Sequence, residues 1–167
     1  MLNKFHRNSL LIDTNLLLLL LIGSFNPSLI RKNKITANQD FDEDDFTQLR
    51  NFAGNFQKLV TTPHILTEVS NHAEKIKGAD HLKFLQQFIS LIESDKTEEH
   101  SESSKLLAKT EAFVKFGLTD TAIAHLMNKN FFFLTVDFPL AGNLRKRGVN
   151  VINFNNVRRI PQADWTS

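Results

Sequence analysis

Two aspartates directly follow short, strongly apolar segments of the chain. Asp13 follows SLLI, and Asp137 follows FFFLTV. Apolar runs of this length are typical of strands that are buried on both faces, so each carboxylate is expected at the rim of a hydrophobic sheet. A carboxylate is costly to desolvate there unless a positive charge compensates it. A divalent cation would supply that charge; alternatively, each aspartate caps the helix that follows it, since Asp is a favoured N-cap residue.

Two further acidic residues lie on predicted helices. Glu68 lies in TPHILTEVSNHA, on a helix predicted to begin at Pro63, and Asp120 lies in LTDTAIAHLM, near the start of another helix. Each alone has a simple structural explanation: Glu68 as a solvated side chain, and Asp120 as an acid favoured by the helix dipole. Together with the two strand-end aspartates, they form a set of oxygen ligands. Such sets hold Mg²⁺ or Mn²⁺ next to phosphate groups, where the cation polarises a phosphoryl oxygen and activates water.

The segments that carry these acids alternate between strand and helix patterns. Hydrophobic periodicity predicts strands at residues 9–13, 59–62, 131–137 and 149–154. It predicts helices at residues 16–22, 46–56, 63–78, 81–92, 106–116, 119–130 and from 137 to 147, with Gly117 as a stop and Thr119 as a cap. Residues 24–45 show no sustained period and are interpreted as a loop or an insertion. Residues 94–104 are interpreted as a solvated connector or as the polar end of a helix.

This alternation predicts the fold class. Strand, helix and strand in succession indicate an α/β protein with three α/β/α layers and a central, mostly parallel sheet. The chain is interpreted as a single domain over residues 1–167, with a short C-terminal tail from about residue 155. Ligands of such sheets bind outside the carboxyl ends of the strands. Asp13 and Asp137 are predicted at those ends.

Composition excludes several kinds of chemistry. The chain has no Cys, which excludes disulfides, zinc-thiolate sites and thiol nucleophiles, and its net charge of +2 argues against a polybasic nucleic-acid coat. The 15 Phe residues are interpreted as core packing rather than base stacking. Asp13 and Asn15 interrupt the apolar stretch at residues 10–22, and the seven uninterrupted apolar residues after Asn15 are far fewer than the roughly 20 of a membrane span. A cytoplasmic protein without a membrane partner is expected.

The motifs resemble one known family. The order LLIDTN, TPHILTEVSNH, LTDTAIAHL and FLTVDFPLAGNLRKRGVNVINF is similar to that of the PIN-domain nucleases, from residue 9 to about 154, with residues 24–45 as extra material. The resemblance implies a Mg²⁺- or Mn²⁺-dependent endoribonuclease. The implied catalytic residues and metal ligands are Asp13, Glu68, Asp120 and Asp137, and the implied supporting residues are Thr14, Asn15 and Thr135.

The same resemblance implies partners. RNA is the implied substrate, and because many small stand-alone members of the family are toxins, an antitoxin protein is an expected partner. A homodimer is also expected. Many members carry a further acid two positions after the last one, where this chain has Pro139. The number of metal ions therefore stays open.

Two alternative functions fit parts of the same pattern. A phosphatase of the haloacid-dehalogenase type would use Asp13 as a nucleophile, but it requires a second acid where this chain has Asn15. A non-catalytic PIN-like module would bind RNA or protein; the presence of all four acids argues against it.

A basic cluster near the C-terminus has two interpretations. Arg145, Lys146 and Arg147 close a predicted helix, where cations are favoured by the dipole. They are also candidate contacts to the RNA phosphate backbone.

Overall fold

Five parallel strands form a single sheet in the computed structural model, which describes residues 8–126 and 131–158 apart from the side chain of Ile35. The order across the sheet is β3-β2-β1-β4-β5. The strands are β1 (Ser9–Ile12), β2 (Lys58–Thr61), β3 (Thr97–Glu99), β4 (Phe131–Thr135) and β5 (Val151–Asn153). Helices flank this sheet, which confirms the predicted α/β/α class, and the sheet is entirely parallel in the described part of the chain.

Nine α-helices lie within the described ranges. They are α1 (Thr14–Phe25), α2 (Lys34–Ala37), α3 (Glu43–Ala53), α4 (Pro63–Ala73), α5 (Ala79–Glu93), α6 (Ser104–Leu107), α7 (Glu111–Leu126), α8 (Phe138–Lys146) and α9 (Phe154–Val157). The predicted end of one helix at residues 127–130 and most of the predicted tail, residues 159–167, lie outside the described residues. No described helix has the length and apolar character needed to cross a membrane.

The centre of the core is formed by β1 and α1, which follow each other in sequence. Leu10, Leu11 and Ile12 of the strand are essentially inaccessible to solvent. Helix α1 is apolar around most of its circumference, as expected for a helix with no free face, because it packs against α3, α4 and α5. Asp13 lies between these two buried elements. The position of its carboxylate is therefore set by the core on both sides.

The strand order reverses direction at β1. The chain moves from β1 to β2 and β3 on one side, and then returns to place β4 and β5 on the other. Leu10 accordingly pairs with Leu59 of β2 and with Phe132 of β4. Such a reversal opens a crevice at the carboxyl ends of the two strands, which is the usual ligand position in parallel sheets. Asp13 and Asp137 follow the two strands that define it.

Residues 24–45 are more ordered than a loop. They contain the end of α1, a 3-10 turn at Pro27–Leu29, α2 and the beginning of α3. Ile30, Thr36 and Phe41 are buried. The prediction of a loop is therefore wrong for these elements, because helices of three or four residues are too short to show a helical period. The alternative interpretation as an insertion stays a prediction.

Two further elements differ from the sequence prediction. Strand β3 lies within the predicted connector at residues 94–104 and pairs with β2 at the edge of the sheet. Its sequence, TEE, has no apolar residue, as is common where an edge strand is protected by charge. The predicted helix at 106–116 is divided between α6 and the first part of α7. Gly117 breaks α7 with a φ of 76°, as its predicted role as a stop requires.

Candidate active site

Asp13 is held by hydrogen bonds from three directions. Its Oδ1 accepts the Leu16 backbone N–H at 2.9 Å, which caps α1, and its Oδ2 accepts the Thr135 hydroxyl at 2.6 Å and the Val136 N–H at 3.1 Å. The side chain is buried, and burial raises the pKa of its carboxyl above the ordinary value, against the lowering effect of these hydrogen bonds. The predicted capping role is confirmed, and the same carboxylate also connects β1 to the end of β4.

Asp137 is oriented in a similar way at the next strand. Its Oδ1 accepts the Leu140 N–H at 2.8 Å and caps α8, and its own N–H donates to the Thr135 hydroxyl at 3.0 Å. Strand β4 ends at Thr135 rather than at the predicted residue 137, because the chain turns here into the helix. Thr135 therefore contacts both aspartates. The predicted supporting role of Thr135 has this structural basis.

Glu68 is held by two threonines from different elements. Its Oε2 accepts the Thr14 hydroxyl at 2.6 Å, and its Oε1 accepts the Thr119 hydroxyl at 2.5 Å. Thr14 is the first residue of α1, Glu68 lies in the middle of α4, and Thr119 follows the break in α7. The half-buried Glu68 is thus not a solvated surface side chain, and the two threonines bring three helices together at this carboxylate.

The electrostatic environment of Asp120 also disfavours the charged form of its carboxyl. Burial raises its pKa to about 6, and the nearby charges of Asp137, Glu68 and Asp13 contribute to the rise. Each of those three groups thus interacts electrostatically with Asp120. No hydrogen bond or ion pair joins the Asp120 side chain to the described part of the chain. Its carboxylate is therefore available to a ligand from outside.

All four predicted acids line one small cleft of about 100 Å³ at the carboxyl edge of the sheet. The predicted supporting residues line it as well. The complete lining is Asp13, Thr14, Asn15, Glu68, Thr119, Asp120, Ile123, Thr135, Asp137 and Leu140. The amino ends of α1 and α8 also meet here, and their dipoles favour negative charge. The cleft therefore combines clustered carboxylates with two helix ends that suit an anionic substrate.

The oxygen atoms of the cleft are not arranged as a preformed cation site. Within residues 8–126 and 131–158, no three acidic or imidazole side chains are already arranged as ligands of one ion. Asp13 and Glu68 instead direct their oxygens at hydroxyl and amide protons. The chemistry nevertheless fits Mg²⁺ or Mn²⁺, which take oxygen ligands and retain several waters, so that few direct carboxylate bonds are needed. Burial and repulsion from the neighbouring acids raise the pKa of Asp120, and such a cation would relieve the repulsion.

The basic cluster is not brought to the cleft. Helix α8 begins next to the cleft at Asp137 and ends at Lys146, so Arg145, Lys146 and Arg147 lie about 12 Å or more along its axis from Asp137. Arg145 donates from Nε to the Val151 carbonyl at 3.2 Å, which joins the end of the helix to the start of β5. The structure separates this cluster from the four acids.

Thr119 is a residue of the cleft that the sequence does not predict as part of the site. The sequence predicts it as a helix cap, but its hydroxyl donates to Glu68 inside the cleft. Its position directly before Asp120 is the signal in the sequence that could indicate this role. Phe138, which follows Asp137, is 62% exposed, unlike most of the described Phe side chains.

Comparison with known proteins adds no family assignment. No protein-family model matches the chain, and no curated protein matches it. The resemblance to PIN-domain nucleases therefore rests on the motifs alone.

Proposed function

We propose that this protein is a Mg²⁺- or Mn²⁺-dependent ribonuclease that hydrolyses RNA phosphodiester bonds, as the PIN-domain nucleases do. The observation that carries the proposal is the meeting of Asp13, Glu68, Asp120 and Asp137 in one cleft at the point where the strand order reverses. Four carboxylates from separate elements meet where parallel sheets bind their ligands. Their desolvation and mutual repulsion destabilise the folded protein unless a cation compensates the charge.

The four carboxylates would hold the cation. When bound, the cation would polarise a phosphoryl oxygen and lower the pKa of a water molecule. Asp13 is fixed by its three hydrogen bonds, and Glu68 by its two threonines. Asp120 and Asp137 would complete the set of oxygen ligands, and the cation would relieve the repulsion that contributes to the raised pKa of Asp120 in the metal-free protein. The toxin role, the antitoxin partner and the homodimer remain predictions from the resemblance alone.

Metal removal is the direct test of this function. Single-stranded and structured RNA should be cleaved in the presence of Mg²⁺ or Mn²⁺, and cleavage should stop in excess EDTA and return when the metal is restored, because oxygen ligands without a cation cannot activate water. Denaturing gels of end-labelled RNA would measure this. Asp120→Asn protein, purified in parallel, controls for contaminating ribonucleases. Undiminished cleavage in EDTA would overturn the proposal, and RNA that is bound but never cut would favour the binding module.

Thr119→Val should lower the cleavage rate by about tenfold or more, because groups that orient a metal-binding carboxylate typically contribute 10–100-fold. The substitution keeps the shape of the side chain and removes the hydroxyl that orients Glu68 Oε1. Thr119→Ser should retain most of the activity. Thr67→Val is the matched control, since the hydroxyl of exposed Thr67 bonds to the Pro63 carbonyl and not to Glu68. Equal rates for the Val and Ser variants at position 119 would refute this positioning role.

A further inference from the structure

A second concave surface lies outside the carboxylate cleft and shares no lining residue with it. It is formed by the segment around α2 and by the connection between α4 and α5, and its volume is about 410 Å³. We call it the lysine groove, since four of its lining residues are lysines. Its lining consists of Leu29, Lys32, Asn33, Lys34, Lys75, Ile76, Lys77 and Asp80.

Positive charge exceeds negative charge in the lining of the lysine groove. In the described chain, the four lysines form no ion pair, and Asp80, the acid in the lining, pairs instead with Lys83 outside the groove at 3.7 Å. Lys77 donates to the Glu74 carbonyl at 3.2 Å, and Lys75 Nζ lies 3.4 Å from His72 Nδ1. Neither contact neutralises a positive charge. Four ammonium groups around one concavity repel one another, so an anion that enters it is favoured.

The fold fixes the two lysine-bearing segments next to each other. They are separated by about 40 residues in sequence, but each is anchored in the core by a buried isoleucine, Ile30 in the first and Ile76 in the second. Both segments are joined to elements that pack on α1. The groove is consequently a fixed feature of the surface rather than a chance meeting of flexible chains.

We propose that the lysine groove binds the sugar–phosphate backbone of the RNA substrate outside the cleft. This inference rests on the proposed ribonuclease function. The carboxylate cleft is itself negative, so affinity for a polyanion must be supplied by another surface. Ammonium groups act as point charges that suit phosphates, and the lining has no aromatic residue on which a base could stack. The groove is therefore expected to bind RNA without reading its sequence.

The cleft and the lysine groove are connected through α4. Glu68 lies in the middle of this helix, and Lys75 lies in the turn after its end. At 1.5 Å per residue, the five residues from Glu68 to Ala73 span about 7.5 Å along the helix axis. An RNA strand that occupies both sites is therefore expected to follow the surface of α4.

The test measures RNA binding as a function of salt. A labelled 20-nucleotide single-stranded RNA is titrated by fluorescence anisotropy in EDTA, which prevents cleavage. Two variants carry the paired changes Lys32→Gln with Lys34→Gln, and Lys75→Gln with Lys77→Gln. The control, Lys96→Gln with Lys109→Gln, changes the net charge equally at exposed positions outside the groove lining. Each groove pair should weaken binding and reduce the slope of log affinity against log salt by about 1.4, since each phosphate contact on a single strand contributes about 0.7.

The outcomes separate this inference from the proposed function. Slopes that are equal in all variants would overturn the groove as an RNA site, even if the wild type cleaves RNA in Mn²⁺. A reduced slope without any metal-dependent cleavage would support the groove and overturn the nuclease. Labelled polyglutamate is tested in the same way. Loss of polyglutamate binding in the groove variants, with RNA binding unchanged, would assign the groove to an acidic protein instead.

Discussion

Asp120→Asn is expected to lower the rate of metal-dependent RNA cleavage by at least about a hundredfold and to raise the melting temperature of the metal-free protein. The loss follows because metal activation supplies several kcal/mol of transition-state stabilisation, and each 1.36 kcal/mol corresponds to a factor of ten. The gain in stability follows because burial and three neighbouring acids disfavour the charge on Asp120. No hydrogen bond from the described chain is lost in the exchange.

The stabilisation by Asp120→Asn should depend on pH in a defined window. The pKa of Asp120 is raised from 3.8 to about 6 in the folded protein, so the folded state binds more protons than the unfolded state between these values. The contribution of Asp120 to stability therefore falls as the pH rises from about 4 to 6 and is constant above that. Because Asp120 is only half-buried, solvent screening limits the total to about 1–2 kcal/mol.

Thermal melting of wild type and Asp120→Asn at several pH values, with and without Mn²⁺, measures both effects. Added Mn²⁺ should stabilise the wild type more than the variant, since a ligand stabilises the state to which it binds. Activity close to that of the wild type would remove Asp120 from the catalytic set. A pH-independent difference in melting temperature would contradict the electrostatic explanation, whatever the activity.

Gly23→Ala should destabilise the protein by about 1–3 kcal/mol, which is the usual cost of overpacking a core. Gly23 lies in α1, and a Cβ at this position would overlap the ring of Phe46 from α3. The ring cannot move away easily, because Phe46 is buried. At this chain length, each kcal/mol lowers the melting temperature by roughly 2–4 °C.

Gly142→Ala provides the matched control for Gly23→Ala. Gly142 is also helical, in α8, but nothing lies within 4 Å of the position that its Cβ would occupy. This substitution should be neutral or should stabilise by about 0.5–1 kcal/mol through the higher helix propensity of alanine. The same chemical change is therefore expected to have opposite signs in the two helices. If both variants melt at the wild-type temperature, the close packing of α1 on α3 is not as described.

Long apolar patterns predicted the central elements of the fold. The runs before Asp13 and Asp137 are strongly hydrophobic because β1 and β4 lie at the middle of the sheet, where both faces are covered. Strand β3 could not be predicted in this way, because it lies at the edge of the sheet and none of its three residues is apolar or fully buried. The short helices at residues 24–45 were missed for a different reason. The contribution of this segment to the core comes from single residues such as Ile30, Thr36 and Phe41, which follow no period.

The placement of the acids in the candidate site could be predicted from the topology of the sheet. Acids that follow parallel strands must lie at one edge, and the structure brings Glu68 and Asp120 to the same cleft. The hydrogen bond between Thr119 and Glu68 depends on how α4 and α7 pack, which no local pattern reveals. The lysine groove was not predicted, since its two halves are distant in sequence and only the packing of the fold brings them together.

The position of β4 next to β1 also has a consequence for synthesis of the chain. Thr135, whose hydroxyl fixes Asp13, is 122 residues further along the sequence. A nascent chain that has reached residue 130 already contains Asp13, Glu68 and Asp120, but it lacks β4 and Asp137. One edge of β1 is then unpaired, and the cleft lacks the lining residues that follow residue 130. Contacts between such distant residues form late in folding. An interrupted translation product would therefore carry three of the four acids without an assembled site, and the proposed hydrolytic activity would begin only after β4 has emerged from the ribosome.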